Sequence, residues 1–461
     1  MLKRYVGDKT FYRHALAIAL PIIVQNAITN FVSMLDNIMV GQLATAQIGG
    51  VTIANNNLIF IFNLCLYGGA AGAGIFTTQF YGSGNQEGIR HTFRFKLLIN
   101  LLLTVLGVGL FYFCGEPLIR LYLTGEGDPA LAAETLHYGR LYLNIMLLGF
   151  LPFALTSCYA TTLRECGQTN VPMIASLIAT VVNLAFNTLL IFGLCGFPAL
   201  GVAGAAIATV LSRYVEFAVV AIWTHTHTDQ VPYMKGLYRT LLIPVGLLRD
   251  IVVKGMPLLL NELLWSLGLA FLNQCYSVCS LDVVPALSIS STIYNLSSVV
   301  FRSMGSTVGI IIGQMLGAAK PESQIRDSYR KLTALTVATG ILFAISMALL
   351  AFAFPRLYNT TEAVRTLAAW FIILSAAYMP LQAYIFPVYF TLRSGGKTMT
   401  TFLFDSGAIW AVSIPIAFCL CNFTTLPILL IYAIANLCDV IKCVIGALMI
   451  KSGHWIQNLT D

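Results

Sequence analysis

The chain has 461 residues, of which 58% are hydrophobic and 10% charged, and carries a net charge of +7. A soluble domain carries roughly a quarter charged residues, so a water-soluble enzyme or binding module is excluded: no soluble core could hide so much apolar surface. The Lys and Arg residues fall in short gaps between apolar stretches, which argues against a nucleic-acid-binding patch and for membrane topology.

A membrane-spanning helix needs roughly 20 apolar residues. Windows of that length fall at 14–40, 50–80, 94–114, 138–160, 170–194 and 200–224, and again at 254–279, 284–313, 331–354, 366–391, 398–420 and 424–450. The expected fold is an all-α membrane protein of twelve transmembrane helices, with the longest gap after the sixth.

A carboxylate in the middle of a membrane helix costs roughly 2.5–3.5 kcal/mol on insertion scales, so each one needs a reason. In the first window Asp36 follows Asn26, Asn30 and Ser33, whose i, i+4, i+7 spacing makes one polar face suited to a wet cavity. The second window carries Asn55, Asn56, Asn57 and Asn63; the fifth carries Asn183 and Asn187, one turn apart. In the sixth, Arg213 and Glu216 are spaced to neutralise each other, and His225 and His227 follow in a polar stretch expected to be solvated. Glu262 is the acid of the seventh window. The eighth carries Ser288, Ser291, Tyr294, Asn295 and Ser298, expected either to face a central cavity or to hydrogen-bond between helices, together with Arg302, a candidate partner for Glu262. Asp405 lies near the start of the eleventh, within reach of water and the helix dipole, and Asp439 with Lys442 repeats the self-neutralising i, i+3 spacing in the twelfth. The cysteines show no CxxC and no zinc-like Cys/His cluster, so no metal centre or other cofactor is expected.

With a cytoplasmic N-terminus, the cytoplasmic gaps hold most of the basic residues, among them Lys3, Arg4, Arg90, Arg94, Lys96, Arg164, Lys235, Arg326, Arg393 and Lys397. The 115–137 loop on the opposite face is acidic (Glu116, Glu126, Asp128, Glu134). The positive-inside rule then places both termini in the cytoplasm.

The two sets of six windows repeat each other. Gln79-Phe-Tyr-Gly82 recurs as Gln314-Met-Leu-Gly317, a shift of 235 residues, and Leu163-Arg164-Glu-Cys-Gly167-Gln-Thr169 as Leu392-Arg393-Ser-Gly-Gly396-Lys-Thr398, a shift of 229. Helix 1 carries Pro21-Ile-Ile-Val-Gln25-Asn26 where helix 7 carries Pro257-Leu-Leu-Leu-Asn261-Glu262. Matches in the same order at a nearly constant offset indicate duplication. Residues 1–230 are expected to form an N-terminal six-helix bundle, 231–253 a cytoplasmic linker and 254–461 a C-terminal six-helix bundle. Because six crossings preserve orientation, a pseudo-twofold axis along the membrane normal should relate the bundles, with the cavity between them.

Together these motifs, with Met34-Leu-Asp36-Asn-Ile-Met-Val-Gly41 and Asn183-Leu-Ala-Phe-Asn187-Thr-Leu-Leu-Ile-Phe-Gly193, resemble the multidrug and toxic-compound extrusion (MATE) family over nearly the whole chain. The resemblance implies two bundles that rock between inward-open and outward-open states, exporting amphipathic organic cations in exchange for H+ or Na+. It implies a monomer in the cytoplasmic membrane of a bacterium. The family places a cation-coupling site between helices 1 and 5, which falls here on Asp36, Asn183 and Asn187, where a sodium ion or a proton would bind. A second cation or substrate site falls on Glu262, Tyr378 and Gln382, with Asn295 and Arg302 nearby; Gln382 stands where the best-known branch has an Asp. The repeat equivalents of Asn183 and Asn187 are Val412 and Ile416, so coupling is expected to centre on Asp36. Two alternatives remain: a flippase for lipid-linked oligosaccharides, which generally needs cationic cavity residues, and an intramembrane enzyme, which needs a catalytic constellation at membrane depth.

Overall fold

The computed structural model describes residues 5–123, 128–280, 282–358 and 360–460. Lys3, Arg4 and Glu126 of the topology argument lie outside the described residues, as do the side chains of Asn37 and Ile38. The secondary structure is all helical, with no strand among the described residues. The spans are α1 (Lys9–Val40), α2 (Thr45–Gly82), α3 (Gln86–Tyr122), α4 (Pro129–Leu147 and, after a bend of 50°, Phe150–Glu165), α5 (Asn170–Phe192) and α6 (Val202–Thr226). They continue as α7 (Val245–Ser277), α8 (Val283–Gly317), α9 (Glu322–Leu350), α10 (Glu362–Ser394), α11 (Thr398–Phe423) and α12 (Ile428–Ser452). Eleven are long and apolar enough to cross a membrane unaided, and the bent α4 makes the twelfth.

The helices outrun their apolar windows. At 1.5 Å per residue α3 is about 55 Å long, against a hydrocarbon layer of about 30 Å. Residues 115–137, expected as a loop, are therefore mostly helical. Glu116 pairs with Arg120 at 2.7 Å and also with Arg140, so α3 persists beyond its apolar run. Asp128 then caps α4 by accepting from the Ala130 amide at 2.9 Å, with Pro129 in the first turn. Hydropathy marks the lipid-facing length, whereas ion pairs and caps decide where the helix ends.

Contacts divide the chain into two compact units. The N-terminal unit comprises Val24–Thr77 and Gln86–Ile251; the C-terminal unit comprises Thr78–Asn85, Val252–Asp461 and the described part of Met1–Ile23. In the N-terminal unit an apolar core is surrounded by an equally apolar outer face, as α3 shows. On α3, Leu102, Val105, Leu106, Leu110 and Phe113 are exposed, while Asn100 and Thr104 on the opposite face are buried. Asn100 Nδ2 donates to the Ala154 carbonyl at 3.3 Å, and Phe62 stacks on Phe150 with ring centres 4.3 Å apart. Apolar side chains gain nothing by leaving lipid, so small and polar groups join the helices.

Residues 231–253 are not a free linker. Arg90 Nε donates to the Tyr233 carbonyl at 3.1 Å and Arg94 Nε to that of Leu237 at 2.9 Å, and Tyr233, Met234 and Leu237 are buried. Residues 231–244 pack against α3 in this way, and 245–253 are the first turns of α7. His225 is likewise engaged, its Nε2 3.1 Å from the Tyr159 hydroxyl. Arg213, expected to pair with Glu216, instead donates to the Gly149 carbonyl at 3.4 Å and lies over the Phe153 ring.

In the C-terminal unit the duplicated Gln-x-x-Gly segments meet. A Cβ on Gly317 would run into the Gln79 backbone, and one on Gly82 into that of Gln314; only glycine permits so close an approach. Gln79 is buried, donating through Nε2 to the Ser394 carbonyl at 2.9 Å and accepting at Oε1 from the Leu459 amide at 2.7 Å. The other duplicated turn has a shared cause as well: Gly167 and Gly396 both take the left-handed conformation, with φ of +80° and +73°.

Candidate functional site

Asp36 lies near the end of α1, in the N-terminal unit. Its Oδ1 accepts from Asn187 Nδ2 at 2.6 Å; that amide also donates to Asn183 Oδ1 at 3.1 Å, and Asn183 Nδ2 reaches Thr209 Oγ1 at 3.4 Å. The i, i+4 spacing on α5 puts both amides on the face turned to α1 and α6. The chain Asp36–Asn187–Asn183–Thr209 therefore ties three helices together through side chains alone.

Beside it lies a cavity of about 60 Å³ lined by Ser33, Asp36, Asn55, Tyr142, Asn187 and Thr209, with Val40, Val51 and Ala205. That is room for a few water molecules or a small hydrated cation. Asn55 comes from a π-helical stretch of α2, Thr52–Ile59, a distortion frequent at functional sites. The buried Asn187 Oδ1 has no hydrogen-bond partner, and among the described residues no Lys, Arg or His forms an ion pair with Asp36. A carboxylate, an unsatisfied amide oxygen and three hydroxyl-bearing side chains around a polar hole make an oxygen-rich set with no resident countercharge among the described residues. Such a set suits a proton or a hard monovalent cation.

The polar face expected on α1 is only partly used in this way. Ser33 and Asp36 line the cavity, but Asn30 Nδ2 donates to the Asn26 carbonyl at 2.8 Å, and Gln25 accepts from Arg164 Nη2 at 2.7 Å. Tyr142 and Thr209 were not singled out by sequence. They belong to α4 and α6, where nothing in their local pattern distinguishes them from other hydroxyl residues, and only packing brings them to Asp36.

The second set of candidates lies in the C-terminal unit. Tyr378 donates to the Ala433 carbonyl at 2.9 Å, and Gln382 Nε2 to Asp439 Oδ2 at 2.6 Å, so both join α10 to α12. Asn295 is exposed on α8. The Arg302 guanidinium lies 5.6 Å from the centre of the Phe386 ring, with its Nε unpartnered. Among the described residues Glu262 and Arg302 form no ion pair, so that expected pairing is not made; the charges acting on Glu262 are those of Arg393 and Asp405. Lys442 acts electrostatically on Asp439, as the spacing suggested, but its direct ion pair is with another acid. It reaches across to Asp405 Oδ1 on α11, at 3.3 Å, while Asn261 Nδ2 holds Asp405 Oδ2 at 3.1 Å.

Comparison with known proteins adds an independent line. The MatE family model matches residues 21–189 and 257–437. The chain is 21% identical over 457 residues to the probable multidrug resistance protein NorM of Thermotoga maritima, covering 96% of this chain and 93% of that protein. It is 25% identical over 417 residues to the probable multidrug resistance protein YoeA of Bacillus subtilis, covering 89% and 87%. Its fold matches the solved outward-facing structure of a multidrug resistance MATE family transporter of the MOP superfamily, with a TM-score of 0.83 over 98% of each chain at 18% identity.

Proposed function

Because the chain belongs to the MatE family of membrane transporters, we propose that it exports amphipathic organic cations in exchange for H+ or Na+, coupled at Asp36, Asn183 and Asn187. The observation that carries this reading is the unpaired Asp36 carboxylate facing a polar cavity beside an unsatisfied Asn187 oxygen. A fixed charge at membrane depth without a counterion is costly. A proton or sodium ion relieves that cost on binding and leaves again when the site opens to the other side. Cation binding and cargo binding then favour different states of the transporter, so an entering cation drives cargo out. One charge crossing a potential of 100 mV supplies about 2.3 kcal/mol, roughly a fiftyfold concentration ratio.

The relatives named for multidrug resistance support a drug-like cargo, and their bacterial origin supports a place in the cytoplasmic membrane of a bacterium. The test is transport in proteoliposomes under imposed pH or sodium gradients. Wild-type protein is expected to accumulate a cationic dye against its gradient, and Asp36→Asn to equilibrate it at most. Uphill transport by Asp36→Asn would sink the assignment, and a response to sodium at fixed pH would identify the ion.

A further inference from the structure

We propose that the segment after α12, Trp455–Thr460, is a latch for the Gln79 end of α2, released each time the transporter opens on that side of the membrane. The inference rests on the alternating-access reading given above. By its contacts the turn Thr78–Asn85 belongs to the C-terminal unit, whereas α2 up to Thr77 and α3 from Gln86 belong to the N-terminal unit. Because α2 remains helical through Gly82 and α3 starts at Gln86, the turn is fixed to its own repeat at both ends. A motion of one repeat against the other must carry the turn out of its seat.

Gln79 is fully buried, and its polar atoms are met by backbone groups. Its Nε2 donates to the carbonyls of Ser394 at 2.9 Å and Gln457 at 3.2 Å, and its Oε1 accepts from the Leu459 amide at 2.7 Å. Two of these three partners lie on the segment after α12. That segment has a seat of its own. Trp455 is 1% exposed, its Nε1 donates to the Ile450 carbonyl at 3.0 Å, and its own carbonyl lies so close to Gly395 that no Cβ could be fitted there. Leu459 packs against Gly396 in the same way. The groups offered to Gln79 are therefore placed in advance by the C-terminal unit. The hydrogen bonds are uncharged, and their net stabilisation is modest because water replaces them on release. A joint of that strength can open and close, where a buried ion pair would leave charges stranded.

Thr78 is buried against Gly313, so a thiol at this position meets reagent only when the turn leaves its seat. Thr78→Cys is placed in lipid nanodiscs in three forms: otherwise unaltered, with Gln79→Ala, and truncated after Ile456, which removes both partners on the segment and keeps Trp455. Modification by a membrane-impermeant maleimide is followed by mass spectrometry of the peptide that carries the position, so the native cysteines do not interfere. Loss of two hydrogen bonds should raise the rate roughly tenfold in the truncated form, and at least as far in Gln79→Ala, with Tm unchanged. Gln79→Met serves if the alanine variant does not fold. An unchanged rate overturns the latch, as does a faster one accompanied by a fall in Tm and equally faster labelling of the buried Cys158. Dye export by the otherwise unaltered form is measured in parallel in proteoliposomes. Its absence removes the alternating-access reading and the latch with it, whereas export alongside a labelling rate indifferent to the segment removes the latch alone.

Discussion

Asp36 in the N-terminal unit and Asp405 in the C-terminal unit each accept a hydrogen bond from an asparagine side chain, Asn187 at 2.6 Å and Asn261 at 3.1 Å. Each sits close to a π-helical distortion, in α2 beside Asp36's cavity and in α11 around Asp405 itself. The difference is the countercharge. Lys442 stands 3.3 Å from Asp405, whereas among the described residues Asp36 has no basic partner and faces a cavity. A carboxylate neutralised by its own chain is a fixed part of the scaffold; one left open must take its countercharge from solution. Duplication supplied two similar halves, and at these two acids they differ by the placement of a single lysine.

The largest effect expected to break or sharpen this comparison is on coupling. Asp36→Asn should abolish uphill export, removing up to the roughly fiftyfold ratio that one charge supplies at 100 mV, while Asp405→Asn should keep a response to the ion gradient; dye accumulation in proteoliposomes separates the two. If both variants lose the response equally, the units do not differ in the way argued.

Stability should show the reverse pattern. Lys442→Met leaves the partly buried Asp405 carboxylate without its countercharge and should cost up to about 3–5 kcal/mol, most of it recovered by Asp405→Asn in the same chain, as read from unfolding in detergent. Asp36→Asn, which removes an unpaired charge, should not destabilise. A smaller loss, about 1–3 kcal/mol, is expected for Gly317→Ala, whose methyl group meets the Gln79 backbone. That variant should unfold earlier yet keep the ion dependence of transport per folded molecule, which separates scaffold from coupling. The smallest change is expected for Thr209→Val, which takes away the hydroxyl bonded to Asn183. At about 1 kcal/mol for one hydrogen bond, it should move the half-saturating ion concentration by less than about tenfold without abolishing export.

Local features were legible without a structure. Runs of apolar residues mark the spans because the bilayer imposes a length on each one. The glycines of the repeated turns mark left-handed or tightly packed backbone because no other residue fits. Asp36, Asn183 and Asn187 stood out because polar groups at membrane depth are costly, and the structure places the three side chains in one hydrogen-bonded chain.

What the tertiary structure decided is which helices meet. An i, i+3 spacing pairs Asp439 with Lys442 on paper, but α11 brings Asp405 closer to the ammonium, and Gln382 on α10 takes Asp439 instead. Thr209, Tyr142 and Asn55 join the Asp36 cavity from three different helices. Residues 231–244 are held against α3 because Arg90 and Arg94 find the carbonyls of Tyr233 and Leu237. The sequence by itself determined the number of spans, the duplication and the family. Which carboxylate has a countercharge depends on contacts between helices far apart in the chain, and no local pattern encodes them.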